Sequence, residues 1–165
     1  MRRELTSENP KLSELQSGAV AAALTIREIA ISDAESAARL SEELGYPVSP
    51  GGMAERIRKL AELAEHAVFV ASLSNSVVGW IDVGMVHHLA VDPYAEIGGL
   101  VVSNNFRSLG IGRKLVVHAE QWAADRALRK MVVRSRISRE AAHRFYLREG
   151  YERIKTSAVF SKNLS

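Results

Sequence analysis

The chain contains no cysteine, which excludes disulfides, thiolate nucleophiles and Cys-ligated zinc. It also lacks internal repeats, low-complexity stretches and any linker that would divide its body. No apolar run is long enough to span a bilayer. The stretch Gly18 to Ile26, preceded by Arg2 and Arg3, faintly suggests a signal peptide. Against this, Glu4, Glu8, Lys11 and Glu14 interrupt the approach, and Arg27-Glu28 follow at once. Residues 1–22 are therefore expected to form a mobile or loosely docked extension. Residues 23–165 are expected to form one soluble domain, compatible with a reducing cytoplasm.

What is present fits an ordinary globular protein with a real core: 165 residues, 47% apolar and 25% charged. The net charge of +3 is unevenly spread. Residues 1–103 carry 8 basic and 14 acidic side chains, whereas residues 104–165 carry 14 basic and 5 acidic ones. Such asymmetry suits an anionic partner for the second half and a cationic one for the first, although two solvated faces would look the same. The basic residues are scattered through expected buried and functional elements, and no nucleic-acid motif accompanies them, so nucleic acid is not expected as a partner.

Leu24 to Ile29 alternates as a first strand. Ser32, with Glu35 three residues on, forms a capping-box pattern opening a helix that stops near Gly45-Tyr46-Pro47. Pro50-Gly51-Gly52 opens a second helix with Met53, Ile57, Leu60 and Ala64 at helical spacing. Ala67–Ala71 and Val77–Val83, joined by a polar link around Asn75, read as a hairpin. Tyr94 to Val102 forms a third strand after a loop around Asp92-Pro93. A helix from Gly110 to Arg126 buries Ile111, Leu115, Val116, Ala119, Trp122 and Ala123. Met131–Val133 reads as a buried strand, Ser138 to Gly150 as a short helix, and Tyr151 to Lys162 as a closing strand. The order β-α-α-β-β-β-α-β-α-β indicates an α/β protein, a mixed sheet with helices on both faces.

The chemistry concentrates where the third strand ends. Gly98-Gly99-Leu100-Val101-Val102 runs into Arg107-Ser108-Leu109-Gly110-Ile111-Gly112-Arg113-Lys114, a glycine-bearing turn that opens an amphipathic helix. The first amides of a helix have no internal partner and carry the positive end of its dipole. Glycines let a phosphate approach the backbone, and Arg107, Arg113 and Lys114 add charge. The P-loop pattern is absent, and the dinucleotide fingerprint fails because its third glycine is replaced by Leu115. On spacing alone, a plain strand-to-helix turn remains an alternative.

Arg107-x-x-Gly110-x-Gly112 after a Leu-Val-Val strand resembles the coenzyme A pyrophosphate motif of the GNAT N-acetyltransferase superfamily. The segment from Arg139 to Tyr151, with His143-Arg144-Phe145-Tyr146, resembles that superfamily's second motif. Residues His143 to Glu152 are also similar to aminoalkylphosphonate N-acetyltransferases. The expected element order matches the GNAT fold from about Leu24 to Leu164. The resemblance implies acetyl-CoA as co-substrate and direct transfer to a primary amine, expected to be that of a small molecule, with a protein N-terminus or lysine as the alternative. It implies that the backbone of Leu100, Val101 and Val102 pairs with the pantetheine arm. The amides of Ser108, Leu109, Gly110, Ile111 and Gly112, with Arg107 and Arg113, would hold the pyrophosphate. Tyr146 would protonate the departing thiolate, since a phenol stays protonated at neutral pH; Phe145 fits the core better. A homodimer is compatible with the family. A CoA-binding sensor module without catalysis is the alternative of a different class.

Glu96 matches a carboxylate often found on the strand before the CoA loop and is the expected base for the amine proton; an exposed strand-end glutamate would look the same. Gly98-Gly99 within a strand suggests a bulge or close ligand approach. His87 and His88, adjacent on a strand, point to opposite faces and are not expected to share a metal; one of them could line the acceptor pocket and act as the base in place of Glu96, and Asp82, Trp80 and residues 90–95 are further candidate pocket walls. Two positions depart from the family pattern: Arg136 stands where Asn is common, and Ser108 where Gly is common.

Overall fold

A computed structural model of the protein describes residues 23–164; the extension expected over residues 1–22 lies outside them. The described chain divides into two compact units, 23–133 and 134–164, each described by itself.

The first unit is built on a five-stranded sheet in the order β1 (Leu24–Glu28), β2 (His66–Leu73), β3 (Ser76–His88), β4 (Val91–Val102), β5 (Met131–Val133). The first four strands pair antiparallel and β5 joins β4 in parallel, which makes the mixed sheet expected from the sequence. Three helices complete the unit: α1 (Ala34–Leu44), α2 (Pro50–Ala61) and α3 (Ile111–Ala124). Strand periodicity places Val70, Trp80 and Val101 on one face. There Leu40 and Leu44 of α1 pack, with Met53 and Ile57 of α2 beyond them. Phe69, Gly79 and Ile81 lie on the other face. A Cβ on Gly79 would come within 3.3 Å of the Leu115 side chain, and His118 meets Phe69 edge-on, so α3 covers that side. All six residues expected along the α3 stripe are buried. Fully burying Ile111, Leu115 and Val116 contributes roughly 1.5–3 kcal/mol each.

Local sequence explains the element ends. Ser74 and Asn75 both have positive φ, +49° and +66°, the type I′ geometry that lets a two-residue loop follow the twist of β2 and β3. Ser49 caps α2 by accepting from the Gly52 amide at 3.1 Å, with Pro50 at the first helical position. Gly45 ends α1 with φ +94°.

Three details differ from expectation. The α1 entrance is not the Ser32–Glu35 box. A 3-10 turn, Ile31–Asp33, comes first, and Asp33 Oδ2 accepts from the Ala30 amide at 2.8 Å. Arg27 donates to both Asp33 oxygens at 2.7 and 2.8 Å, so the carboxylate that closes back onto the entering chain is Asp33 and not Glu35. The expected loop around Asp92-Pro93 is part of β4; the turn lies at Leu89-Ala90. Pro93 falls where the β3–β4 register shifts, between the pairs Val86–Tyr94 and His88–Val91, so its missing N–H leaves no regular rung unmade. The closing strand over Tyr151–Lys162 does not form: residues 151–164 carry no ladder pairing, and Val159 and Phe160 are exposed. A strand exists only by pairing, and the second unit offers one helix and no other extended partner.

That helix is α4 (Glu140–Arg148). It ends at Gly150, φ +90°, with the Gly150 and Tyr151 amides donating to the carbonyls of Leu147 and Tyr146 at 3.2 and 3.0 Å, as the sequence indicated.

Candidate active site

β5 pairs with β4 only at Ala95, Glu96 and Ile97. From Gly99 to Val102, β4 keeps its β3 partner but the ladder to β5 has ended. An edge left open in this way can accept a ligand's amide groups as an added strand. The glycine pair expected to make a bulge does so. Asp82 pairs with Gly99 and Val83 with Ile97, leaving Gly98 as the extra residue. Close packing explains both glycines: a Cβ on Gly98 would lie 3.2 Å from the Asp82 carboxyl, and one on Gly99 would lie 2.8 Å from the Trp80 ring.

Past Val102 the chain makes a 3-10 turn at Asn104–Phe106, returns to extended backbone at Arg107 and enters α3. Ser108 and Gly110 both take left-handed conformations, φ +64° and +76°. A Cβ on Gly110 would touch nothing within 4 Å. Glycine is therefore required there by backbone conformation, with open space in front of it. Ser108 explains the family's preference for glycine at its position, since an L-residue bears a strain of about 1 kcal/mol in this region. The α3 N-cap makes no side-chain cap bond, and no acidic residue occupies the first turn, so positive potential there is not cancelled locally. Arg107, exposed, donates from Nε to the Val102 carbonyl at 3.3 Å, which sets its guanidinium at the end of the open β4 edge.

Glu43, from the last turn of α1, accepts from the Asn104 amide at 2.8 Å and the Ser103 hydroxyl at 3.2 Å. Sequence reasoning did not single it out, and no local pattern joins residues 61 positions apart.

On the face of the sheet that α1 and α2 cover, Gly84 of β3 pairs with His66 on one side and Glu96 on the other. Glu96 is half-buried. His66 Nε2 lies 2.7 Å from Asp82 Oδ1, both side chains about a quarter exposed. The two buried atoms approach closely without hydrogen-bond alignment. The ring rests on Gly84, where a Cβ would sit 2.8 Å from Nδ1. His66, Asp82 and Glu96 thus share one face around two glycines and the bulge, and the buried Trp80 Nε1 beside them has no hydrogen-bond partner. His66 was missed: the hairpin register counted back from Ser74-Asn75 puts it opposite Val83, and the irregularity at Ala71-Ser72, which no sequence signal marked, shifts it to Gly84.

His87 and His88 engage different partners, as their alternation required. His87 Nε2 lies 3.1 Å from Glu65, and His88 Nε2 lies 3.2 Å from the Tyr94 hydroxyl, with the two rings stacked. In the second unit, Tyr146 stands between the edges of Phe145 and Tyr151, ring centroids 5.2 and 5.5 Å away. Burial pushes its phenol up to about 12, against a smaller opposing pull from Arg139. His143 Nε2 lies 3.1 Å from the Arg136 carbonyl, a backbone role for Arg136 at the position where the family often has Asn.

An open strand edge leading into a positively polarised, glycine-bearing turn can receive an extended anionic ligand. Residues 30–151 match the Acetyltransferase (GNAT) family. The chain is 35% identical, over 68% of its length and 71% of the relative's, to the aminoalkylphosphonate N-acetyltransferase of Salmonella typhimurium (strain LT2). Its fold is similar to the aminoglycoside N-acetyltransferase AAC(6')-Iy in complex with CoA, TM-score 0.76 at 16% identity over 86% of this chain and 95% of that one. It is likewise similar to the aminoglycoside 6'-N-acetyltransferase AAC(6')-Ih of Acinetobacter baumannii, TM-score 0.75 at 19% identity over 86% and 99%. No described helix is long and apolar enough to cross a membrane. The chain belongs to the GNAT family and is an acetyl-CoA-dependent N-acetyltransferase.

Proposed function

We propose that the enzyme acetylates the primary amine of a small molecule by direct attack, with acetyl-CoA and amine bound together. The observation that carries this reading is the β4 edge from Gly98 to Val102, open beyond β5 and continuous with the uncapped α3 N-terminus. Backbone groups of Leu100, Val101 and Val102 pair with the pantetheine amides. The amides of Ser108 to Gly112, with Arg107 and Arg113, hold the pyrophosphate. Glu96 takes a proton from the acceptor ammonium, directly or through water. The amine nitrogen then bonds to the acetyl carbonyl carbon, the carbon–sulfur bond breaks, Tyr146 gives its proton to the departing thiolate, and the second proton lost by the nitrogen passes through water to restore the phenol. Tyr146 receives this role from its match to the family's second motif. Its raised phenol, still protonated at neutral pH, supports it. Because the chain has no cysteine, a cysteine-linked acyl-enzyme is ruled out, which favours a single displacement.

The aminoalkylphosphonate acetyltransferase relative supports a small amine bearing an anionic group as acceptor. The His66–Asp82 pair beside Glu96 supplies polar walls on the acceptor side. We also assign the enzyme to the cytoplasm, where acetyl-CoA is available to it. Calorimetric titration of acetyl-CoA tests the reading. Saturable binding is expected, with loss in an Arg107→Ala, Gly110→Asp double variant, followed by turnover on a panel including aminoalkylphosphonates. Absence of binding at near-millimolar acetyl-CoA would sink it.

A further inference from the structure

We propose that Glu43 is a positioning residue for the CoA loop, bracing it against α1 so that its amides are set before the ligand arrives. This rests on the reading that the loop holds the CoA pyrophosphate.

A carboxylate is out of place here on electrostatic grounds. Glu43 follows Glu42 in the last turn of α1, where the helix dipole disfavours an anion, and it touches the first residues of a loop built to hold a polyanion. Its bonds explain its presence. The two oxygens divide their work, one accepting from the Asn104 amide at 2.8 Å and the other from the Ser103 hydroxyl at 3.2 Å. Ser103 and Asn104 begin the loop directly after β4. From the sheet side, the Ser103 amide donates to the Val78 carbonyl at 2.9 Å, and the Ser103 carbonyl accepts from the Phe106 amide at 2.9 Å to close the 3-10 turn. The loop's first residues are thus held by β3 on one side and α1 on the other. The helix is itself anchored, because Leu40 is buried against Val70, Val77 and Val101. Downstream lie Ser108 and Gly110, whose left-handed conformations aim the cradle amides and are sensitive to any shift in the chain entering them. A preset loop spends less binding free energy on ordering.

Two explanations of Glu43 predict opposite signs. If it acts only as a nearby negative charge, its removal relieves repulsion and CoA binds more tightly. If it positions the loop, its removal weakens CoA binding. The test compares the parent with Glu43→Ala and Glu43→Gln by calorimetric titration of CoA, and by amide hydrogen exchange of the ligand-free proteins over residues 103–112. Glu43→Ala is expected to bind CoA roughly ten-fold more weakly, the scale of one lost hydrogen bond to a charged group, with faster exchange across the loop. Glu43→Gln keeps the shape and an acceptor oxygen and is expected to stay within about three-fold of the parent. Unchanged or tighter binding by Glu43→Ala overturns the proposal, and so does a Gln variant as weak as the Ala one. If the parent itself bound no CoA, the CoA reading would fall. Exchange would then decide the brace separately, and unchanged loop exchange in Glu43→Ala would end it too.

Discussion

Replacing Tyr146 with Phe removes one oxygen and almost no volume, so it isolates the proton. With the phenol pushed up to about 12, only about one molecule in ten thousand has lost that proton at pH 8. The acid is therefore present throughout the range in which a free amine is available. Loss of a positioned general acid costs roughly 100- to 10,000-fold in rate. Tyr146→Phe is expected to lower kcat by at least 100-fold while acetyl-CoA affinity stays within about two-fold. The assay is kcat from pH 6 to 10 on an accepted amine, paired with calorimetry of acetyl-CoA. The parent is expected to show no Tyr146-dependent alkaline fall in this range. A variant with parental kcat would refute the acid role. An alkaline limb below pH 10 that vanished in the variant would refute the shift. The same shift bears on stability. The folded phenol keeps its proton while the unfolded one loses it near 10, so stability is complete below pH 10 and declines as pH rises toward 12. The decline is roughly 3 kcal/mol and should be absent from Tyr146→Phe in alkaline melts.

Two substitutions in the cradle separate backbone strain from ligand contact. Ser108→Gly is expected to hold or raise stability by up to about 1 kcal/mol, because glycine accepts the left-handed φ that serine bears at a cost. Gly110→Ala is expected to lower stability by about 1–2 kcal/mol, a fall in Tm of roughly 2–8 °C, and to weaken CoA further because its Cβ enters open space before the amides. Equal Tm values for both variants and the parent would contradict the assigned conformations. At the α1 entrance, Arg27→Ala leaves the buried Asp33 carboxylate with the Ala30 amide and is expected to cost about 1–3 kcal/mol at pH 7. The Arg27 guanidinium holds the Asp33 carboxyl below its usual 3.8. The ion pair's contribution is thus present above that value and lost as pH falls through the lowered one. Melts of parent and variant should converge toward pH 2; a gap that persists there would argue against the pair.

Much of the fold was legible because it depends on local periodicity and punctuation. The α3 stripe, the hairpin at Ser74-Asn75, and the glycines ending α1 and α4 each answer to short-range geometry. The bulge at Gly98-Gly99 was legible for the same reason, since two glycines inside a strand mark an irregularity wherever the strand pairs. The misread elements are those in which a distant partner decided. Asp33, held by Arg27, closes the α1 entrance onto Ala30, the long β3–β4 pairing absorbed Asp92-Pro93, and residues 151–162 form no ladder.

The sequence by itself determined the family and marked a candidate cofactor-binding turn, with Glu96, Arg107 and Tyr146 as candidate residues, because motifs, a helix N-terminus and its glycines are written in neighbouring residues. Only the tertiary structure brought Glu43 to Ser103 and Asn104, set His66 against Asp82 over Gly84, and ended the β5 ladder at Ile97 to leave the β4 edge open. These arrangements follow from strand register and helix packing. They are properties of the assembled sheet, and no stretch of neighbouring residues encodes them.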